Sequence, residues 1–303
     1  MGSGGVGGYF GARLARGGAD VVFSARGAHL EAMRKHGLRI ENEHEPIELP
    51  KVNATDDPSS IGKVDLILFA VKLWDTESAA QLLLPALGPG TGLISFQNGV
   101  QKDDMLRPII GETALMGGVG YVATAISRPG VIAQTGTMQR LLFGEFDGRR
   151  SKRVEDFHEA CVAGGINAEI SPDIRREIWQ KFVFLVALSG ATTSMRMALG
   201  PIRENPLTRQ FFLDLMKEVV AVGRARGIAL PADYAEQSMN FADTLPHDMI
   251  ASMYHDLQQG KPLELAWLSG AVVDIGLTVG VPTPVNRAVR DVLLLHAHGR
   301  ACE

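Results

Sequence analysis

The first half of the chain alternates short, continuously apolar runs with segments whose apolar residues have helical spacing. Such runs are typical of strands buried on both faces of a parallel sheet, and their alternation with helices indicates a βαβ series. The pattern therefore predicts a Rossmann-like α/β fold. The predicted elements are strands at 20–24, 64–71 and 92–96, helices at 9–16 and 76–87, two strands around Gly136 within 131–146, and a hairpin or irregular excursion at 38–52.

The pattern changes near Ser171, beyond which every segment has helical spacing. Ser171-Pro172-Asp173 predicts a helix start, with serine as the N-cap, proline at the first position and acids in the first turn. We therefore divide the chain into an α/β domain at 1–172 and an all-α domain at 173–303. The predicted helices are 173–198, 206–227, 231–244, 246–259, 263–280 and 284–298.

Composition and charge restrict the kinds of partner. The net charge is −4 over 303 residues with no basic tract, which argues against nucleic acid, because phosphate binding needs clustered lysine and arginine. Cys161 and Cys302 are far apart and the histidines show no metal-binding spacing, so we predict no metal site. The longest apolar run, 182–188, is too short to span a bilayer, and no signal peptide is visible. These features predict a cytoplasmic protein.

A glycine-rich motif opens the chain. The first glycine of such a motif permits a tight turn, the second lets the backbone approach a pyrophosphate, and the third lets the following helix pack closely on the sheet. The amides at the start of that helix then face the phosphates. The predicted dinucleotide-binding loop, which matches G-x-G-x-x-G, consists of Gly2, Ser3, Gly4, Gly5, Val6 and Gly7.

The strand that should precede this motif is missing, because only Met1 stands before it. One interpretation makes the glycines a tag remnant or linker. The helical spacing that continues through Tyr9-Phe10-Gly11 favours instead a true glycine loop, whose first strand is absent through truncation or a misplaced start. The expected fold is a Rossmann-like domain without its first strand.

Polar residues follow three predicted strands, at the edge where open parallel sheets bind ligands. The second strand of the expected fold ends at Arg26 and lacks the acid that holds the ribose 2′-hydroxyl in NAD enzymes. Arg26 therefore favours NADP(H), since a guanidinium suits a 2′-phosphate; a solvated arginine is the alternative. Lys72 and Asn98 stand at the ends of the next two strands. All three are candidate cofactor contacts.

Three polar residues of the helical half are candidates for chemistry. Lys181 lies among bulky apolar residues, so it either extends its ammonium to solvent or is partly buried, as a general acid for a carbonyl oxygen that receives a hydride. Ser252 shares a helix face with Asp256, and Glu264 begins the next predicted helix. The ordinary explanations are a small polar helix residue for Ser252 and a first-turn carboxylate for Glu264.

Taken in order, these motifs resemble the ketopantoate reductase (2-dehydropantoate 2-reductase) family over nearly the whole chain. The resemblance implies NADPH-dependent reduction of 2-dehydropantoate to (R)-pantoate, a step of pantothenate biosynthesis. The motifs that carry it are the glycine loop, Arg26, Val71-Lys72, Gln97-Asn98-Gly99, Gly117-Gly118-Val119, Pro129-Gly130-Val131, ExWxK at 177–181, SMxxD at 252–256 and GKPLELxxLSG at 260–270.

The resemblance also implies roles for individual residues. The two cations at the strand ends would lie near the adenosine phosphate, and Asn98 would lie by the nicotinamide and the substrate. Lys181 would donate a proton to the 2-oxo group, and Ser252 would bind the substrate carboxylate. Glu264 would contact the cofactor ribose or orient the lysine.

The chain departs from the family pattern at three positions where asparagines are expected. Leu185, Ser189 and Leu199 stand there, and of these only Ser189 is kept as a substrate-binding candidate. Apolar groups cannot supply the hydrogen bonds that hold the substrate's polar groups. Three alternatives stay open: a paralogous reductase of a more apolar 2-oxo acid, a related β-hydroxyacid or glycerol-phosphate type dehydrogenase, and an NADP-binding regulatory protein without turnover. A homodimer is a further expectation.

Overall fold

A computed structural model describes residues 1–300, which form two compact units. The first unit comprises Met1–Gln97 and Lys102–Glu177, and the second comprises Asn98–Gln101 and the chain from Ile178 onward. The predicted boundary follows residue 172, whereas this division falls five residues later, inside a long helix. The short segment that contains Asn98 belongs to the helical unit.

The first unit is an α/β domain of the Rossmann type. Its helices are α1 (Gly5–Arg16), α2 (Gly27–His36), α3 (Thr76–Leu83), α4 (Lys102–Ile110) and α5 (Lys152–Ala163). Its strands are β1 (Val22–Ser24), β2 (Leu38–Glu41), β3 (Ile47–Leu49), β4 (Asn53–Thr55), β5 (Leu66–Phe69), β6 (Gly92–Ser95), β7 (Leu115–Arg128), β8 (Val131–Gly144) and β9 (Ala168–Ile170). Helices α2, α4 and α5 and strands β4, β7 and β9 were not among the predicted elements.

A seven-stranded sheet forms most of this unit. Its order is β3-β2-β8-β7-β6-β5, with β9 paired to β8, and β5, β6 and β7 run parallel. The prediction of two strands within 131–146 is wrong, because β8 is one long strand antiparallel to β7. Gly136, at a φ of +68°, lies where the register shifts between Gln134 and Gln139. This glycine therefore permits an irregularity within the strand and makes no turn.

The predicted absence of a first strand is visible in the sheet. Strands β1 and β4 form a separate parallel pair, and within residues 1–300 no strand joins β1 to β5. Met1 lies beside β5, since its amine donates to the carbonyl of Leu68 at 2.8 Å and its carbonyl accepts from the amide of Ala70 at 2.9 Å. The amides of Gly2 and Ser3 donate to the carbonyl of Ser24, at the end of β1. The glycine loop is thus attached to both strands.

Of the two cysteines that were predicted to be isolated thiols, one lies within the described residues. Cys161 is a free cysteine in the core of the first unit, where burial raises its pKa to about 12. Cys302 lies outside the described residues. A thiol with so high a pKa is a poor nucleophile, so Cys161 is a packing residue.

The second unit is all-α, as predicted. Its helices are α6 (Ile174–Met195, the first four residues of which belong to the first unit), α7 (Leu199–Glu204), α8 (Pro206–Ala225), α9 (Tyr234–Asp243), α10 (Ser252–Gln258), α11 (Ser269–Val279) and α12 (Pro284–Leu293). Its core is built mainly on α6, α8 and α11, and residues such as Val183, Phe212 and Val272 are completely buried. These helices hold the candidate catalytic residues in place.

One predicted helix cap and one predicted helix start are wrong. Helix α6 begins after Asp173, whose Oδ1 accepts from the amide of Arg176 at 3.1 Å, so Asp173 and not Ser171 provides the capping oxygen. The helix predicted from Pro246 begins only at Ser252. The carbonyls of residues 247 and 249 accept hydrogen bonds from the first amides of α7, and this pairing holds the segment outside any helix.

Candidate functional site

The glycine loop is a tight turn that leads directly into α1. Gly2 has a φ of +85°, and a Cβ there would lie 2.7 Å from the backbone nitrogen of Val71. A Cβ on Gly7 would lie 2.3 Å from the carbonyl oxygen of Gly2, and one on Gly5 would lie 2.6 Å from that of Thr124. These distances allow no side chain, so the close packing of turn, helix and sheet requires glycine at all three positions.

Gly4 differs from these glycines, because a Cβ there would meet no atom within 4 Å. Gly4 is the N-cap of α1 and supplies no side-chain cap, and the first amides of a helix lack an acceptor one turn earlier. Amides in this position, which here include those of Val6 and Gly7, are suited to bind an anion. The loop therefore fits a pyrophosphate, and the open space at Gly4 is where its oxygens could approach the backbone.

Two exposed cations lie in the same unit, on neighbouring segments. Arg26 follows β1 as the N-cap of α2, and its guanidinium is 2.9 Å from Oδ2 of Asp75. The Asp75 amide in turn donates to the carbonyl of Lys72 at 2.9 Å, and the ammonium of Lys72 lies 5.5 Å from the centre of the Trp74 ring. Sequence reasoning found both cations but missed Asp75, whose only signal was an acid three residues after the lysine. The guanidinium that is predicted to bind a phosphate is thus paired with a carboxylate of the protein.

Gln97 belongs to a motif found in the sequence, but sequence reasoning gave it no role. Its buried side chain donates to the carbonyl of Val71 at 3.0 Å and to Oγ1 of Thr76 at 2.8 Å, and it accepts from Oγ of Ser95 at 2.9 Å. These bonds join the end of β6 to the loop between β5 and α3. Gln97 therefore fixes the strand end from which the chain continues to Asn98.

Lys181 and Asn98 meet within the helical unit. Lys181 lies on α6, half-buried, and its ammonium donates to Oδ1 of Asn98 at 3.1 Å. Of the two alternatives for this lysine, the structure thus favours partial burial with a polar partner. The bond to the Asn98 amide oxygen orients the ammonium. An ammonium held in this way can donate a proton to an oxygen that becomes negative.

Ser252 and Glu264 lie at the starts of two further helical segments of this unit. Ser252 is exposed at the first position of α10, and the preceding amide, of Ala251, donates to Oγ1 of Thr192 on α6 at 3.4 Å. Glu264 is only 7% exposed and begins a short 3₁₀ turn, Glu264–Trp267. The exposed serine suits a carboxylate ligand, because its hydroxyl can donate a hydrogen bond.

The positions where asparagines were expected are buried to different degrees. Leu185 is half-buried, whereas Leu199 is completely buried. Ser189 is 1% exposed and its hydroxyl has no hydrogen-bond partner, so its burial does not favour the predicted contact with substrate. Leu185 and Leu188 follow Lys181 along one face of α6, which makes this face apolar. The substrate role of Ser189 stays a prediction.

The described part of the chain contains neither a cluster of side chains that could hold a metal nor a helix that could span a membrane. Across residues 1–300, the histidine, cysteine and acidic side chains nowhere gather in threes or more in a way that could hold a metal. None of the helices placed there is both long and apolar enough to cross a bilayer.

Comparison with known proteins covers nearly the whole chain. Residues 1–148 match the family model "Ketopantoate reductase PanE/ApbA", and residues 173–297 match its C-terminal counterpart. A 2-dehydropantoate 2-reductase of Mesorhizobium japonicum is 32% identical over all of this chain and 98% of its own length. The uncharacterized oxidoreductase YkpB of Bacillus subtilis is 30% identical over 95% of each chain. A PanE/ApbA family ketopantoate reductase from Ralstonia eutropha JMP134 superposes with a TM-score of 0.89 at 33% identity, covering 98% of this chain and 97% of that one.

Proposed function

This chain belongs to the ketopantoate reductase family of oxidoreductases that act on CH–OH groups, and from that premise we propose that it uses NADPH to reduce 2-dehydropantoate to (R)-pantoate. The observation that carries the proposal is the Lys181 ammonium held on the Asn98 amide at 3.1 Å. A lysine ammonium held in position is the group that reduction of a ketone requires, because the carbonyl oxygen must gain a proton as the carbon gains a hydride.

Each of several residues has its own role in the proposed reaction. NADPH, when bound, supplies the hydride. Lys181 donates its proton to the 2-oxo oxygen, and Asn98 keeps the ammonium pointed toward it. Ser252, exposed at the start of α10, binds the substrate carboxylate. Glu264 contacts the cofactor ribose or orients the lysine. A regulatory protein without turnover would not need the lysine and the glutamate, and this chain keeps both.

The choice of cofactor rests on the charges near the end of β1. The segment after β1 presents Arg26 and no acid, and a guanidinium binds a phosphate through paired hydrogen bonds. Lys72 adds a second cation on a neighbouring segment. Replacing Arg26 by Asp should shift the preference from NADPH toward NADH, and an unchanged preference would remove Arg26 from the 2′-phosphate site. The cytoplasmic location and the homodimer stay predictions.

A second substrate class is favoured by one observation. The face of α6 beyond Lys181 carries Leu185 and Leu188, and neither can bond to a substrate hydroxyl. The alternative substrate is accordingly a 2-oxo acid of similar size without a hydroxyl. The two candidate substrates differ in whether they carry this hydroxyl. The ratio of their kcat/KM values therefore shows whether the site binds it.

The test compares 2-dehydropantoate with 3,3-dimethyl-2-oxobutanoate, which has the same carbon skeleton but lacks the hydroxyl. Loss of NADPH absorbance gives kcat/KM for each. A site with polar partners for the hydroxyl should prefer 2-dehydropantoate by about a hundredfold or more, whereas an apolar site should treat the two acids nearly alike. The Leu185→Asn variant should raise the preference for 2-dehydropantoate if this face contacts the substrate. Turnover of neither acid, with NADPH bound, would exclude both substrates.

A further inference from the structure

The imidazole of His29 connects the glycine loop to a distant turn of the same unit. His29 is the third residue of α2, and its Nε2 lies 3.0 Å from the carbonyl oxygen of Ser3. Its Nδ1 lies 3.0 Å from the amide nitrogen of Gly130, in the turn between β7 and β8. One half-buried side chain thus bonds to two backbone groups that are 127 positions apart (130 − 3).

These two partners determine which nitrogen of His29 carries the proton. A backbone amide can only donate, so Nδ1 accepts from Gly130 and is unprotonated. Nε2 then carries the hydrogen and donates to the carbonyl of Ser3. Burial favours this neutral ring, because it lowers the pKa of His29, while the bond to Ser3 opposes the shift. The ring is therefore a fixed link and acts as both donor and acceptor.

The link fixes the direction of the next amide in the loop. No peptide bond in the described chain is cis, and in a trans peptide the carbonyl and the following N–H point in opposite directions. Since the Ser3 carbonyl points at His29, the N–H of Gly4 points away from it. The preceding peptide is held as well, because the Ser3 amide donates to the carbonyl of Ser24 at 2.9 Å. Both peptide planes around Ser3 are thus set by bonds within the protein.

We propose that His29 is a positioning residue for the pyrophosphate of the bound dinucleotide, through its hold on the Ser3 carbonyl. The proposal rests on the proposed function, since it requires that the loop bind a dinucleotide. His29 aims the Gly4 amide at the phosphates and makes no contact with the 2′-phosphate. Its loss should therefore weaken NADPH and NADH by the same factor, whereas loss of Arg26 should weaken NADPH only.

The test uses two variants that keep different halves of the link. In His29→Gln the amide group reaches the position of Nε2 and can donate to Ser3. In His29→Asn it occupies the position of Nδ1, where it can accept from Gly130 but cannot reach Ser3. Dissociation constants for NADPH and NADH are measured by titration calorimetry, and kcat at saturating NADPH is measured alongside them. Thermal melting of each variant reports whether it is folded.

His29→Asn should bind both nucleotides about tenfold more weakly, which corresponds to one misdirected hydrogen bond to a charged group, with kcat unchanged at saturation. His29→Gln should bind both within about threefold of the wild type, because it restores the bond to Ser3. Wild-type affinity in the Asn variant, equal losses in both variants, or a loss confined to NADPH would each overturn the role of His29. Failure of the wild-type protein to bind either nucleotide would overturn the proposed function and this inference with it.

Discussion

Two neighbouring glycines of the loop should respond to the same substitution in opposite ways. A Cβ on Gly7 would lie 2.3 Å from the carbonyl oxygen of Gly2 and 3.1 Å from Cβ of Ala70, and neither group is the end of a flexible side chain. A Cβ on Gly4 would lie in open space. We therefore expect Gly7→Ala to damage the fold and Gly4→Ala to damage cofactor binding alone.

The expected losses of stability follow from these distances. Forcing a methyl group into the packed site at Gly7 costs about 1–3 kcal/mol or more, and the higher helix propensity of alanine returns at most about 1 kcal/mol. A net loss of about 2 kcal/mol would lower the Tm of a unit the size of the α/β domain by about 4–8 °C. At Gly4 the φ of −76° is allowed for alanine. There the weaker N-cap is offset by a less flexible unfolded chain, so the net change should stay within about 0.5 kcal/mol.

The expected order of the two variants is reversed for NADPH affinity, which should fall in Gly4→Ala. A methyl group at Gly4 would keep phosphate oxygens from the backbone amides, and each hydrogen bond lost to a charged group costs about 1.5–3 kcal/mol, or about 10- to 100-fold in Kd. Scanning calorimetry and NADPH titration on both variants measure the two effects. If Gly4→Ala binds NADPH as well as the wild type and melts at the same temperature, the pyrophosphate does not lie at Gly4 and the reasoning fails.

Three further predictions concern single side chains. Lys181→Ala should reduce kcat greatly with little change in NADPH affinity, and unchanged turnover would remove its role as the acid. Asp75→Asn should tighten NADPH by about two- to fivefold, since Arg26 loses a competing carboxylate, with NADH unaffected; Asp56→Asn, which removes another arginine-paired carboxylate, is the control. Because the pKa of His29 is lowered in the fold, the stability that it contributes is present above its ordinary pKa and is lost as pH falls below it. Urea denaturation at pH 7.5 and 5.5 should therefore show a smaller difference between the wild type and His29→Gln at the acid pH.

The order of helices and strands was largely predictable because it depends on local patterns. Buried strands such as β5 and β6 are continuous apolar runs, and the helical unit has apolar periodicity throughout. Two of the failures occurred where contacts between residues distant in sequence determine the structure. Gly136 reads as a turn signal, yet the pairing of β8 with β7 carries the strand through it. Likewise the segment from Pro246 reads as helical, but its carbonyls pair with amides of α7.

Candidate site residues could be predicted where a local sequence motif indicates a function by itself. A glycine loop before a helix and a cation after a strand are motifs of this kind. Residues that act through distant partners carry no such signal. His29 contacts Ser3 and Gly130, and Asp75 contacts Arg26, at separations of 26, 101 and 49 residues. Only the fold brings these groups together, so their roles had to come from the structure.

Two lysines illustrate how the fold separates a catalytic candidate from a structural residue. Lys102 is 1% exposed, and burial lowers its pKa, which alone would suggest a proton donor. Its ammonium, however, is bonded to the backbone carbonyls of Ser95 and Gly118, so it joins two strands of the sheet and no substrate can reach it. Lys181, by contrast, is only half-buried, and it donates to the side-chain amide of Asn98. A lowered pKa is therefore not by itself a sign of a proton donor, because a buried ammonium that is bonded to the backbone has no access to a substrate.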